Sequence, residues 1–235
     1  MDRGRSPDPA LEELHCERGP GLSKQDNEQD VIIVGTSTIA ADLHRITNIA
    51  WTVSLAAKNA RIISAQAGEL ARRFQPITNH IEDITRSVLR TADHVADESV
   101  RVTQEAARHL KCVDRGTRFR RILEDAAEAE HVETLRPAAE ANRRQLEAGL
   151  ETLDEHLGAL AGHLKHLRAT VRSALTVSSI CRIEASRTGA YRADLSEVAE
   201  DLERASQEIQ TILRAGLDRI TDIREEVLGT TGTNE

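Results

Sequence analysis

The chain has 235 residues, of which 30% are charged and only 2% are aromatic, and its formal net charge is -8 at pH 7. So few aromatic residues cannot fill a compact aromatic core, whereas this share of charged residues is typical of long amphipathic helices. The acidic balance argues against a general nucleic-acid binder, so we expect no nucleic-acid partner.

Cysteine usage and hydropathy indicate a cytoplasmic protein. Cys16, Cys112 and Cys181 are too few and too scattered to form a disulfide framework or a metal-ligand set, which fits a reducing compartment. No apolar run approaches the roughly 20 residues of a membrane span, and residues 1–30 lack the apolar core of a signal peptide. The sequence therefore predicts cytoplasmic localisation without a membrane span, a metal or a cofactor.

The first predicted helix follows a stretch rich in proline, glycine and charge, residues 1–28, which we interpret as a disordered tail. Apolar residues then step by four and three, as a coiled-coil seam requires. The seam narrows to alanine towards Gly68, where small side chains let helices approach closely. Its members are Ile39, Leu43, Ile46, Ala50, Val53, Ala57 and Ala60.

Three further helices are predicted after Gly68. Gly116 and Pro137 are helix breakers that bracket a connector, with room for a short helix between them. The third helix has the most regular seam, with leucines such as Leu157 and Leu160 in strict four-three alternation. The predicted divisions are a tail at 1–28, a first hairpin at 29–115, a connector at 116–136, a second hairpin at 137–228 and a tail at 229–235.

An internal duplication relates the two hairpins. The stretch 59–74, NARIISAQAGELARRF, recurs 121 residues later as ICRIEASRTGAYRADL. Gly68 and Gly189 mark the two turns, and a chain that reverses near their midpoint, Glu128, brings both turns to one end. We therefore predict an all-α fold, a long antiparallel coiled-coil four-helix bundle made of two helical hairpins. Such a pseudo-dimer within one chain closes its own core, as a monomer or within a homo-oligomer.

The first turn also carries a family resemblance over about residues 46–84. The positions concerned are Ile49, Ala50, Leu55, Asn59, Ala60, Ile62, Ala65, Ala67, Gly68, Glu69, Arg72 and Phe74. In this pattern the chain resembles the cytoplasmic hairpin tip of methyl-accepting chemotaxis proteins. The second copy supplies Glu184 and Arg187, where that family has the Glu and Arg that the first copy lacks.

The resemblance implies a signal-transduction or scaffold protein of bacterial chemotaxis that acts by protein–protein binding at its tips. Its expected partners are the chemotaxis histidine kinase and its coupling adaptor, or chemoreceptors. Lys58 and Pro76 depart from the family pattern and make its usual trimer of receptors unexpected. The implied tip residues are Asn59, Ile62, Ile63, Gln66, Gly68 and Glu69 on the first tip and Ile183, Glu184, Arg187 and Gly189 on the second. Methylation in that family falls on Glu/Gln pairs, for which Glu225 and Glu226 are the candidates here.

Other readings remain open at this point. The chain has no Gly-rich phosphate loop, nucleophile elbow or zinc signature, so we expect no enzyme.

One alternative is a purely structural coiled-coil spacer, and another is a haem or metal sensor. The sensor would use the histidines of the third helix, His156, His163 and His166. A basic cluster would dock an acidic partner or a phosphate, or else be a solvated connector; it consists of Arg115, Arg118, Arg120 and Arg121.

Overall fold

The computed structural model describes residues 20–125 and 132–229, and these residues form four long helices without a strand. Short 3-10 turns precede the second, third and fourth helices. The predicted all-α bundle is confirmed. The helices are α1 (Pro20–Ala67), α2 (Phe74–Asp125), α3 (Arg136–Ala185) and α4 (Arg192–Gly229), and the turns are Gly68–Ala71, Val132–Leu135 and Gly189–Tyr191.

The helices form a closed antiparallel ring in which each one packs against the helix before and after it, and α1 also packs against α4. Two ion pairs join α1 to α4: Arg45 lies 2.5 Å from Glu208, and Arg219 lies 2.7 Å from Asp42. The members of each pair are at similar distances along the chain from Gly68 and Gly189. Both hairpin turns therefore lie at the same end of the bundle, as predicted.

The duplication extends through the whole core. Adding 121 to the number of a buried α1 residue gives a buried α3 residue, and the same shift relates α2 to α4. The related pairs include Ile32 and Leu153, Ile39 and Leu160, Leu43 and Leu164, Ile46 and Leu167, Ala50 and Val171, Ala60 and Cys181, Phe74 and Leu195, Ile81 and Leu202, Val88 and Ile209, and Val102 and Ile223. Some of these pairs join a small residue to a larger one, as Ala50 and Val171 do, so the cores of the two hairpins are equivalent in position but not identical in composition.

Two glycines make the hairpin turns possible. Gly68 has a φ of 58° and Gly189 a φ of 61°, and no other residue in the described part of the chain has a positive φ. This left-handed conformation brings Cβ too close to the following carbonyl in other residues, so a helix commonly ends on glycine there. The turn positions predicted from the repeat are where the structure has them.

Two helix ends differ from the predicted boundaries. α2 continues through Gly116 to Asp125, because a polar clamp from α3 holds this region: Asn142 Nδ2 donates to the Cys112 carbonyl over 2.9 Å. A Cβ on residue 116 would lie 3.2 Å from Asn142 Nδ2, so glycine makes room for the clamp. α1 already begins at Pro20, inside the predicted tail, and proline is well suited to a first helical position.

α4 has 38 residues, against 48 in α1, 52 in α2 and 50 in α3, so the other three helices extend beyond its end. In this part of α2 and α3, apolar side chains such as Phe119, Leu123 and Leu146 are only half-buried. The remaining parts of the predicted tails and connector, residues 1–19, 126–131 and 230–235, lie outside the described residues.

Candidate functional site

The first hairpin tip presents a mixed surface. Asn59, Ile62 and Gln66 are exposed, whereas Ile63 is half-buried and packs against the core. After the turn at Gly68, the exposed Glu69 pairs with Arg72 across 3.4 Å. Four of the six residues predicted on this tip therefore have side chains on its surface, Ile63 supports the core, and Gly68 serves the turn.

The second tip is built in the same way, and it also carries an ion pair between two neighbouring residues. Ile183 is exposed, and Glu184 pairs with Arg187 over 3.1 Å with only 18% of the Glu184 side chain exposed. Gly189 makes the turn. Ile62 and Ile183 correspond under the duplication, but they lie on α1 and α3, which are diagonal in the ring, so the two isoleucines point to opposite sides of the bundle.

The histidines that the structure describes do not form a metal centre. His156 Nδ1 lies 2.6 Å from Glu98 Oε1 between α3 and α2, and the rings of His94 and His163 stack with their centroids 5.7 Å apart. His166 is exposed. Across residues 20–125 and 132–229, no three His, Cys, Asp or Glu side chains are grouped so that they could hold a metal ion. The described part of the chain therefore does not assemble the predicted alternative of a metal sensor.

His109 on α2 is a separate case. It is 8% exposed, and its Nδ1 has no hydrogen-bond partner among the described residues. Burial lowers the pKa of His109 from its ordinary value of 6.5, because the charged imidazolium would lose its hydration. This is a buried, neutral core histidine that the sequence analysis did not single out.

The carboxylates considered for methylation lie on the last turns of α4. Glu225 is exposed and Glu226 is half-buried. Neither is part of a cluster with the tip residues, which are at the opposite end of α4.

The projecting end of α2 carries a concentration of positive charge. From Arg108 to Arg121 the sequence has six Lys or Arg residues and a single acidic residue, Asp114. All six basic side chains are exposed, on slightly less than four turns of one helix. We call this surface the basic segment; its residues are Arg108, Lys111, Arg115, Arg118, Arg120 and Arg121.

Local pairing neutralises only part of the basic segment. Arg118 lies 2.9 Å from Asp114, Arg108 lies 2.6 Å from Glu105, and Arg121 lies 3.6 Å from Asp125. Arg115 donates to the neutral Gln145 over 3.3 Å. These ion pairs are solvent-exposed on the arginine side, so they are weak and exchange readily for another anion.

Comparisons with known proteins point away from chemoreceptors. Residues 8–117, slightly less than half of the chain, match the model of the RmuC family. Neither the search of curated proteins nor the search of solved structures gave a match. Within the described residues, no helix combines the length and the apolar character needed to cross a bilayer.

The predicted chemoreceptor resemblance, with its chemotaxis function and its kinase, adaptor and receptor partners, is therefore wrong. The matched positions have a structural explanation. Ala60 is fully buried where helices approach closely, Phe74 is fully buried below the turn, and Gly68 has the φ that the turn requires. Core packing and turn geometry account for these three residues, so the resemblance reflected hairpin geometry and not a shared partner.

Proposed function

We propose that this protein has a DNA-recombination-related function. The observation that carries the proposal is the match of residues 8–117 to the RmuC family, a family of DNA recombination proteins. The matched range covers α1 and most of α2, and it reaches into the basic segment. The proposed role is one of binding, and we propose no catalytic step for this chain.

The basic segment is the part of the described surface whose chemistry suits DNA. Duplex DNA presents one phosphate charge about every 1.7 Å along its axis, and arginine side chains bind phosphate oxygens with two N–H groups at once. Arg115, Arg118 and Arg120 are exposed on the part of α2 that extends beyond the end of α4, so α4 does not cover them.

The prediction of no nucleic-acid partner rested on the net charge of -8, which does not exclude this role. Salt at physiological concentration screens exposed charges beyond about 8 Å. A phosphate at the basic segment therefore responds mainly to nearby charges, and those in the stretch 108–121 are predominantly positive. Averaging the charge over the whole chain hides a local site of opposite sign.

Fluorescence anisotropy with a labelled duplex, repeated over a range of salt concentrations, tests the proposal. The test variant replaces four arginines of the basic segment by glutamine, R115Q/R118Q/R120Q/R121Q. The control variant removes the same charge from exposed arginines of α3 and α4, R168Q/R172Q/R192Q/R214Q. We expect the test variant to bind at least tenfold more weakly, with a smaller dependence of log K on log salt, since each phosphate contact contributes about 0.9 to that slope.

The control variant should bind like the natural protein. If both variants lose affinity equally, the DNA contact is unspecific and the basic segment is not the site. If the natural protein does not bind duplex DNA at low salt, the proposed DNA contact is wrong. A DNA-related role would place the protein in the compartment that holds the DNA, and the cytoplasmic localisation expected from the cysteines is part of this proposal.

A further inference from the structure

α1 is apolar on two sides, unlike α2 and α4. One side is the buried seam from Ile32 to Ala60 that faces the core. The other side is a second heptad stripe on the outer surface, in which every residue is exposed. We call it the outer stripe; its positions are Val34, Ser37, Ala41, His44, Asn48, Trp51, Leu55, Lys58, Ile62 and Ala65. A helix with apolar residues on both sides is normally covered on both sides.

Large apolar side chains on the outer stripe are more than half exposed. Val34 is 60% exposed, Trp51 56%, Leu55 60% and Ile62 58%. Trp51 is the only tryptophan of the chain, and it projects into solvent. Single exposed apolar residues are common, but four at heptad spacing on one helix form a seam of the kind by which helices pair.

The internal duplication shows that the fold does not require this stripe. The residues of α3 that correspond to Val34, Trp51 and Leu55 are Glu155, Arg172 and Thr176. Both helices bury equivalent seams and have the same place in their hairpins, yet α3 is polar at these three positions, and only Ile62 has an exposed apolar equivalent, Ile183. The apolar residues of the outer stripe are therefore not explained by the packing of the bundle itself.

The outer stripe is also the face on which two acidic molecules can meet. No Asp or Glu occurs between Asp42 and Glu69, a stretch of 26 residues in a chain with 39 acidic residues. Asp42 itself is paired with Arg219. Two copies of net charge -8 that approach through α1 bring no carboxylates of this stretch against each other, whereas most other faces would do so.

We propose that the outer stripe pairs with the outer stripe of a second copy of this chain, in antiparallel orientation. Lys58 decides against a parallel pair, because it would then face the Lys58 of the second copy directly. In the antiparallel register that packs Trp51 on Leu55 of the second copy, Lys58 lies opposite Asn48, and the two lysines are about 15 Å apart along the helix axes.

The pairing face is modest in size. In this register Ala41 lies opposite Ala65, so the paired part of the stripe runs from Ala41 to Ala65, about 36 Å on a helix roughly 10 Å across. Val34 and Ser37 lie beyond the end of the second copy's α1. The contact between a single pair of helices of this length is one of the smaller specific interfaces. We therefore expect a reversible dimer with a dissociation constant in the micromolar range.

Sedimentation equilibrium of the full chain over a range of concentrations tests the pairing. The test variant, W51R/L55T, introduces the residues that α3 has at the corresponding positions, so it keeps a surface that the same fold already tolerates. The control, I180T/I183T, removes two exposed isoleucines from α3. We expect a dimer for the natural protein and the control, and at least a tenfold weaker dimer for W51R/L55T with unchanged helicity. A natural protein that stays monomeric, or a W51R/L55T variant that dimerises normally, overturns the proposal.

Cross-linking with a short bismaleimide tests the orientation, in a protein whose Cys16 is replaced by serine and whose Cys112 and Cys181 are buried. In the proposed register, Thr52 lies beside Thr52 of the second copy, so Thr52→Cys should give covalent dimers. Lys58→Cys should not, because about 15 Å of helix separates the two thiols. Efficient cross-linking of Lys58→Cys without that of Thr52→Cys would mean a parallel pair and overturn the antiparallel arrangement.

Discussion

Arg61 on α1 lies 3.6 Å from Glu82 on α2, seven residues before the tip glycine and fourteen after it. The second hairpin has the same ion pair at the same two distances from its glycine, between Arg182 and Glu203. Exposed pairs of this kind contribute at most about 1 kcal/mol each. Their recurrence across diverged copies shows that the duplication conserves the register of each hairpin, which fixes the face that each helix presents.

The leucine seam of α3 should tolerate no charge. Leu157 and Leu160 are fully buried in the four-helix core, whereas Lys58 and Gln66 are exposed on α1. We expect Leu157→Asp or Leu160→Asp to lower the free energy of unfolding by several kcal/mol, because an unpaired carboxylate is costly in an apolar interior. Lys58→Asp and Gln66→Asp introduce the same group and should change it by less than about 1 kcal/mol. Thermal melts of the four variants measure the difference. Similar losses of stability in both pairs of variants would show that the buried and exposed faces are assigned wrongly.

Glycine substitutions should separate the turn positions from the helix interiors. Gly68→Ala and Gly189→Ala force alanine into a left-handed conformation and should destabilise the fold by about 1–2 kcal/mol each. Gly149 and Gly162 lie inside α3, and an added Cβ meets nothing within 4 Å there. Their replacement by alanine should stabilise the fold by roughly 0.5–1 kcal/mol, since alanine is the better helix former. Urea denaturation of the four variants measures both signs, and a stabilising change at Gly68 would contradict the turn assignment.

The four helices and both turns were predictable from the sequence because the heptad seams and the two glycines are local signals. The end of α2 was not. Gly116 was expected to end the helix, but Asn142, 26 positions further along the chain, donates to the Cys112 carbonyl and packs beside the glycine. A contact of this kind depends on the register between two helices, which no local pattern reports.

The site could be predicted only in part, for a different reason. The arginines of the basic segment were visible in the sequence, but their place on a projecting helix depends on the difference in length between α2 and α4. The tip residues suggested a partner because Ala60, Gly68 and Phe74 match a known hairpin pattern, although core packing and the turn already account for all three. The outer stripe was not predicted, because the side of α1 that stays exposed depends on where α2 and α4 pack. In the structure both pack away from Trp51 and Leu55.

The thiol of Cys181 should be unreactive in the folded protein. It is fully buried between helices, and burial raises the pKa of its thiol to about 12, so at pH 8 the thiol is protonated and inaccessible. We expect the reaction of the native protein with a chromogenic disulfide reagent to follow the same time course in the natural protein and in Cys181→Ala. In denaturant, the natural protein should release one more equivalent. A slower or smaller native reaction in Cys181→Ala would mean that the bundle opens near the second tip.

Acid should destabilise the bundle through His109. Burial holds its pKa below 6.5 in the folded state, while the unfolded chain takes up a proton near pH 6.5. The unfolded state therefore binds more protons between that value and the lower folded pKa, so stability is fully present above about pH 6.5 and falls as the pH drops through this window. His109→Leu removes this proton uptake and also the buried Nδ1 without a partner. We expect its urea midpoint to fall less than that of the natural protein between pH 7 and pH 5. The exposed His166→Leu should retain the natural pH dependence; if both variants behave alike, His109 is not the group that makes the fold sensitive to acid.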